Sequence, residues 1–282
     1  MTTAARANAV KLIENYCFEK PEDIQLENML YNEGMYLLEE HLNSCDGRIA
    51  FTENTGVITI DKNISDEKQR RFLICHEMGH FFNERTKEIK QRTDNTDVHQ
   101  NSDINEIRAN AFAAELLMHE PWFKEYCKEE KITRELLTGI AENFRVTLSA
   151  GAIRYSEIGQ IPTAVVFSTR GRIQWSSIHK DFPYQRCTKG AQVEELSYAY
   201  CLYEKFEIDK LFKRKQQFYH KKIDYSKLKI KYAKAKEVNL VPAAAWFTGS
   251  FDSIFWRFIN ELNFPMPSYN SVLTLLWESE FH

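Results

Sequence analysis

Residues 72–82 read F-L-I-C-H-E-M-G-H-F-F, and His76, Glu77 and His80 inside them form an H-E-x-x-H pattern. On an α-helix, positions i and i+4 stand one above the other on the same face. Two neutral imidazoles can then reach a single divalent ion, with the carboxylate of Glu77 next to them as a base for an activated water. That is the chemistry of a metal-dependent hydrolase. The segment is otherwise apolar, so the helix should be largely buried, and its ionisable residues are costly unless paired or metal-bound. Gly79 lowers helix propensity by about 1 kcal/mol relative to Ala. It makes sense where another backbone passes close by.

Two histidines do not complete a catalytic site; a third protein ligand should leave one position for water. Candidates downstream are His99, Asp103, Glu106, Glu115 and His119. Glu106 is favoured because it opens the helix I-N-E-I-R-A-N-A-F-A-A-E-L-L-M, whose apolar face must pack against something. Asn110 lies one turn on, on the same side, where it could orient a ligand imidazole. The alternative is that Glu106 merely interacts with its own helix N-terminus.

The elements that would position these groups follow from pattern. Ala7, Val10, Ile13, Tyr16 and Cys17 are spaced as in an amphipathic helix over 4–18, stopped by Pro21. Residues 36–42 are ambiguous. Residues 47–60 look like a hairpin turning at Asn54-Thr55-Gly56. Ser65-Asp66-Glu67 offers capping chemistry for a motif helix over about 66–82. Residues 83–103 are polar and aperiodic and suggest a surface loop; the next helix should begin near Ile104 and close at Pro121. Residues 133–158 predict two helices joined at Phe144-Arg145-Val146, spaced like a helix-turn-helix, although most such pairs only pack a core. A boundary follows at 158–162, and then a hairpin turning at Arg170-Gly171 opens an α+β segment running to the C-terminus.

Bulk properties exclude several classes. The chain has 282 residues, 43% hydrophobic and 27% charged, as expected of a globular protein with a real core. It has no signal-like apolar run at its start and no stretch long enough to span a membrane. Six scattered cysteines without a C-x-x-C pair suggest reduced thiols and a cytoplasmic location. Net charge is −3, but residues 1–150 carry 18 Lys/Arg against 27 Asp/Glu, and the remainder is net basic. The basic excess concentrates between Lys210 and Lys236, with Phe212, Phe218, Tyr219, Tyr225 and Tyr232 interleaved. Such a segment could track a phosphate backbone and stack unpaired bases through residues such as Lys213, Arg214 and Lys215. More commonly a charge run is a solvated face.

H-E-M-G-H-F-F followed by E-I-R-A-N-A-F-A-A-E-L-L-M closely resembles the ImmA/IrrE family of metallopeptidases, with its H-E-x-G-H helix and later E-x-x-A-N-x-F-A-A-x-L-L-M helix. Arg70-Arg71-Phe72, the 140–154 helix pair, V-P-A-A-A-W-F and S-V-L-T-L-L-W fit the same pattern. The resemblance implies His76, His80 and Glu106 as ligands of zinc (or manganese), Glu77 as catalytic base, and a helix-turn-helix repressor as substrate, its cleavage switching on a stress, DNA-damage, phage or mobile-element programme. It implies an α+β fold: a zincin-like domain over 1–130, a helix pair over 131–159 and a GAF-like sensor domain over 160–282, for which single-stranded DNA or another nucleic acid would be a natural activator. Met118-His119-Glu120-Pro121 departs from the family's L-M-P. The rival expectation is a non-hydrolytic DNA-binding regulator or scaffold with a structural metal.

Overall fold

The computed structural model describes residues 2–43, 45–84, 98–128, 131–185, 187–206, 237–247 and 257–279, and only the backbone of 98–103. The fold is mixed α+β, and the chain divides into two compact units: Met1–Glu130 with Leu137–Arg154, and Lys131–Leu136 with Tyr155–His282.

The first unit is built around a helix pair and a small sheet. Helix α1 (Thr3–Asn15) buries Ala5, Ala9, Leu12 and Ile13. The expected stripe is thus rotated: Ala7 and Cys17 are exposed, and the helix ends three residues before Phe18. After α2 (Leu26–Asn32) come β1 (Met35–Glu40), β2 (Gly47–Phe51) and β3 (Gly56–Asp61), in sheet order β1-β3-β2. β2 and β3 form the expected antiparallel hairpin, and the ambiguous stretch is a strand, β1, parallel to β3. β3 is central and buries Ile58 and Ile60 completely, while β2 is an edge.

Helix α3 (Glu67–Glu84) carries the motif. Asp66 caps it, its carboxylate accepting the N–H of Gln69 at 3.0 Å. Helix α4 (Val98–Leu117) packs along it. α4 starts six residues earlier than expected, inside the predicted loop. Once Ala109–Leu117 is fixed by packing, each further turn adds a hydrogen bond per residue without a new nucleus, so weak helix formers are carried along. Nor does Pro121 close α4. It sits in the first turn of a new helix, α5 (Glu120–Tyr126), where its missing N–H costs nothing.

One polar cluster ties the end of this helix pair to its neighbours. Glu115 is 2% exposed and Arg154 is 0% exposed. Glu115 accepts from Arg154 at 2.5 Å, from His119 at 2.8 Å, from the Glu120 N–H at 3.0 Å and from Arg6 at 3.4 Å. Burial alone would raise the Glu115 carboxyl, but the Arg154 guanidinium and these donors outweigh it and hold it below the usual carboxylate range.

Helices α6 (Arg134–Asn143) and α7 (Leu148–Ile158) join at the expected Phe144-Arg145-Val146, with Arg145 in the left-handed region. The second unit holds an antiparallel sheet, β5-β4-β8-β7-β6, of β4 (Thr163–Thr169), β5 (Arg172–Ile178), β6 (Val238–Pro242), β7 (Phe258–Met266) and β8 (Ser271–Glu278). Arg170 and Gly171 both have positive φ, as a two-residue hairpin between β4 and β5 requires. Inside this unit Glu261 is fully buried, accepting from the Ala199 N–H at 2.8 Å, the Trp246 indole at 3.0 Å and the Asn263 amide at 2.6 Å. The basic segment 210–236, with Lys213, Arg214 and Lys215, lies outside the described residues.

Candidate metal centre

The face of α3 that carries His76, Glu77 and His80 lines an open cleft of about 680 Å³, with Gly47, Arg48, Ile49 and Phe51 of β2 along one side. α4 supplies the opposite donor. Its close approach depends on Gly79: a Cβ there would lie 2.8 Å from the Ala109 Cα and 2.9 Å from its carbonyl oxygen. The passing backbone anticipated at this glycine is therefore that of α4. The contact sets the height at which Glu106 and Asn110, one turn before and one residue after Ala109, face the histidines.

His76 and His80 lie with their Nε2 atoms 3.1 Å apart. Glu106 stands 3.1 Å from the first through Oε2 and 3.4 Å from the second through Oε1. The opposite ring nitrogens are anchored. His76 Nδ1 is 2.9 Å from Asn110 Oδ1, and His80 Nδ1 is 2.6 Å from Glu84 Oε1. Glu84 is steadied in turn by the Asn105 amide, which donates to Oε2 at 3.0 Å. With acceptors at both Nδ1 atoms, the ring protons belong there and both Nε2 atoms present lone pairs. With both rings neutral, two lone pairs and a carboxylate thus converge on one point with no donor among them. That arrangement calls for a cation. The separations also suit one: ligands at 2.0–2.1 Å in a tetrahedron lie about 3.3 Å apart.

Burial lowers the His76 pKa, and the neighbouring His80 lowers it further, keeping that ring neutral. For His80, burial is outweighed by the Glu84 hydrogen bond and the surrounding carboxylates, and its pKa rises; a bound cation reverses that balance. Glu77 is 6% exposed, and burial pushes its pKa to about 7, the carboxylates of Glu106 and Glu84 adding to the rise and His80 opposing it. A side chain at residue 47 would fall 3.1 Å from Glu77 Oε1, so the start of β2 closes directly over this carboxylate. Glu106 is at the mouth, its side chain 56% exposed against 12% and 15% for the two imidazoles.

Of the residues singled out in the sequence, His76, His80, Glu77, Glu106 and Asn110 are together at the cleft. Because α4 begins at Val98, Glu106 is in its third turn, beyond the reach of the helix N-terminus that offered it another role. Glu115 and His119 belong to the Arg154 cluster instead, and the side chains of His99 and Asp103 lie outside the described residues. Glu84 and Asn105 were not anticipated. The available signal was spacing: Glu84 follows His80 by four residues, the interval that relates His80 to His76.

Residues 32–156 match the peptidase family model described as an IrrE N-terminal-like domain. No curated protein matches the chain. Among solved structures, a Mycobacterium tuberculosis transcriptional regulator is similar over 98% of this chain and 77% of that one, with a TM-score of 0.58 at 13% identity, a likeness of fold alone. No helix among the described residues is long and apolar enough to cross a membrane.

Proposed function

We propose that the protein, whose residues 32–156 match the IrrE N-terminal-like domain model, is a zinc-dependent endopeptidase of the cytoplasm that cleaves a helix-turn-helix transcriptional repressor. The observation that carries this reading is the convergence of His76 Nε2, His80 Nε2 and Glu106 beside the buried carboxylate of Glu77 in an open cleft. His76, His80 and Glu106 hold the metal, zinc or manganese, which when bound supplies Lewis acidity towards a peptide carbonyl. Asn110 and Glu84 fix the ring protons on Nδ1 and so keep each Nε2 turned to the centre. Glu77 accepts the proton of the attacking water and passes it to the leaving amine. β2, the sheet edge along the cleft, offers main-chain groups unpaired among the described residues to an extended substrate segment. Residues 160–282 form a GAF-like sensor domain in this reading, with Lys213, Arg214 and Lys215 contacting a nucleic-acid activator.

The competing reading is a non-hydrolytic DNA-binding regulator with a structural metal. A structural zinc usually closes with four protein ligands and requires no buried carboxylate beside it. The donor set His76, His80 and Glu106 numbers three among the described residues, with Glu106 half exposed. The test is incubation with candidate helix-turn-helix repressors from the same genome, in parallel with Glu77→Gln. The proposal expects cleavage by the wild type and none by a variant that still binds zinc stoichiometrically. Cleavage surviving in Glu77→Gln removes the mechanism. Stoichiometric metal with no cleavage in either protein favours the regulator.

A further inference from the structure

A second cavity, of about 430 Å³, opens in the first unit on a different face of α3 from the metal cleft. Leu30 of α2, Leu37 of β1 and Ile74 of α3 give it apolar wall, and Arg70, Arg71 and Arg145 give it three guanidinium groups. Two of these are matched. Arg70 holds Glu39 at 2.5 Å, and Arg145 holds Glu67.

Arg71 is not. The residue is 8% exposed, and its Nε is buried without a hydrogen-bond partner. Glu67 is the carboxylate whose field reaches it, and Arg145 already engages that group. Arg145 itself adds like-charge repulsion. A guanidinium stays charged in a protein, so it cannot relieve this cost by giving up its proton. What relieves it is a counter-anion.

We propose that this cavity is a binding site for a small organic monocarboxylate, whose carboxylate is held by Arg71 and whose aliphatic or aromatic body lies against Leu30, Leu37 and Ile74. Guanidinium and carboxylate match as planar, charge-assisted hydrogen-bonding partners. The volume falls within the range of small-molecule sites. The charge is limited to one because Glu22, Glu27 and Glu67 also line the cavity and oppose a dianion such as phosphate. The site is separate from peptide hydrolysis, and its readout needs neither metal nor substrate.

The test is thermal shift and calorimetry on the full chain in an anion-poor zwitterionic buffer. The probes are phenylacetate and hexanoate, with phenylacetamide as the uncharged control and inorganic phosphate as the second anion. The proposal expects a saturable rise in melting temperature with both carboxylates and none with phenylacetamide or phosphate. Arg71→Met removes a buried, unmatched charge while keeping an apolar side chain of some reach, so it should fold in ligand-free buffer. It should bind the carboxylates at least about tenfold more weakly, as loss of a charge-assisted hydrogen bond implies. Three results would each overturn the proposal: no saturable shift with either carboxylate, an equal shift in Arg71→Met, or a shift with phosphate alone. Should Arg71→Met fail to fold, the nitrogen-labelled Arg71 Nε–H resonance of the wild type decides. Movement with phenylacetate and not with phenylacetamide supports the site; no movement removes it.

Discussion

Gly79→Ala tests the idea that the metal donors are set at their distance by one backbone crossing. The added Cβ would meet the Ala109 Cα at 2.8 Å, its carbonyl oxygen at 2.9 Å and the Phe112 Cβ at 3.2 Å. Ordinary carbon contacts begin at about 3.5 Å, so α3 and α4 must part by about 0.7 Å at this point. Glu106 and Asn110 flank Ala109 and move with it. Metal sites tolerate about 0.2 Å in their ligand distances, so the displacement takes the third donor out of register. Zinc affinity should fall by roughly 10- to 100-fold, the scale seen when groups supporting ligands are disturbed. Stability has two opposed terms. Alanine gains about 1 kcal/mol of helix propensity, and overpacking costs about 1–3 kcal/mol. The metal-free protein should therefore melt at the wild-type temperature or below it. Competition against a chromophoric chelator measures the first quantity, and circular dichroism of the metal-free protein the second. Because the clash is with backbone, Gly79→Ala combined with Ala109→Gly should not recover zinc binding. Wild-type zinc affinity together with a raised melting temperature would refute the reasoning, since it would mean that the helices have room to spare at the crossing.

Three further outcomes follow from other polar contacts. Glu84→Gln should weaken zinc by about 10- to 100-fold and shift the His80 tautomer balance away from Nδ1–H, measured by chelator competition and by imidazole nitrogen shifts. The Glu115 carboxyl is held below its unfolded value, so its contribution to stability is complete above about pH 4.3 and is lost as pH falls through the depressed folded value. Glu115→Gln removes the carboxylate that faces the buried Arg154 guanidinium at 2.5 Å, and should cost about 3–5 kcal/mol at neutral pH by urea denaturation, with a shallower loss than wild type on further acidification. Glu261→Gln replaces one carboxylate oxygen with an NH₂ that meets a group already donating there, either the Ala199 N–H and Asn263 amide at Oε1 or the Trp246 indole at Oε2. It should destabilise by about 1–3 kcal/mol, followed by Trp246 fluorescence during unfolding.

The parts legible in the sequence were those whose meaning is local. His76, Glu77 and His80 are fixed to one face by helical period alone, and the Asp66 cap and the Arg170-Gly171 turn are chemistry within a few residues. β1 was obscure because its pattern misleads: Tyr36 and Leu38 are apolar yet 57% and 46% exposed, so hydrophobicity does not alternate with burial. The start of α4 was obscure because its first turns are carried by packing further along. Pro121 opens a helix where its sequence suggests an end, because a proline suits either place. Glu84 and Arg71 depend on three-dimensional facts, namely which ring nitrogen of His80 faces inward and which carboxylate near Arg71 is already taken.

The same fact explains why the motif helix tolerates so many polar groups. An imidazole, carboxylate or guanidinium withdrawn from water is expensive alone, and α3 carries buried Glu77 and Arg71 and half-buried His76 and His80 within ten residues. At the metal cleft the cost is redistributed: Asn110 and Glu84 satisfy the outer nitrogens, which leaves all the unsatisfied capacity as lone pairs at one point. Were the rings free to turn, each could offer a proton to Glu106 and the need for a cation would vanish. The two Nδ1 anchors forbid that for the neutral rings, so the metal-free site can meet the need only by protonating His80, whose pKa is raised there, and a bound ion takes the place of that proton. On the proposed metal role, affinity resides in Asn110 and Glu84 as well as in His76, His80 and Glu106, and a chain keeping H-E-x-x-H and Glu106 but lacking both anchors should hold its ion weakly.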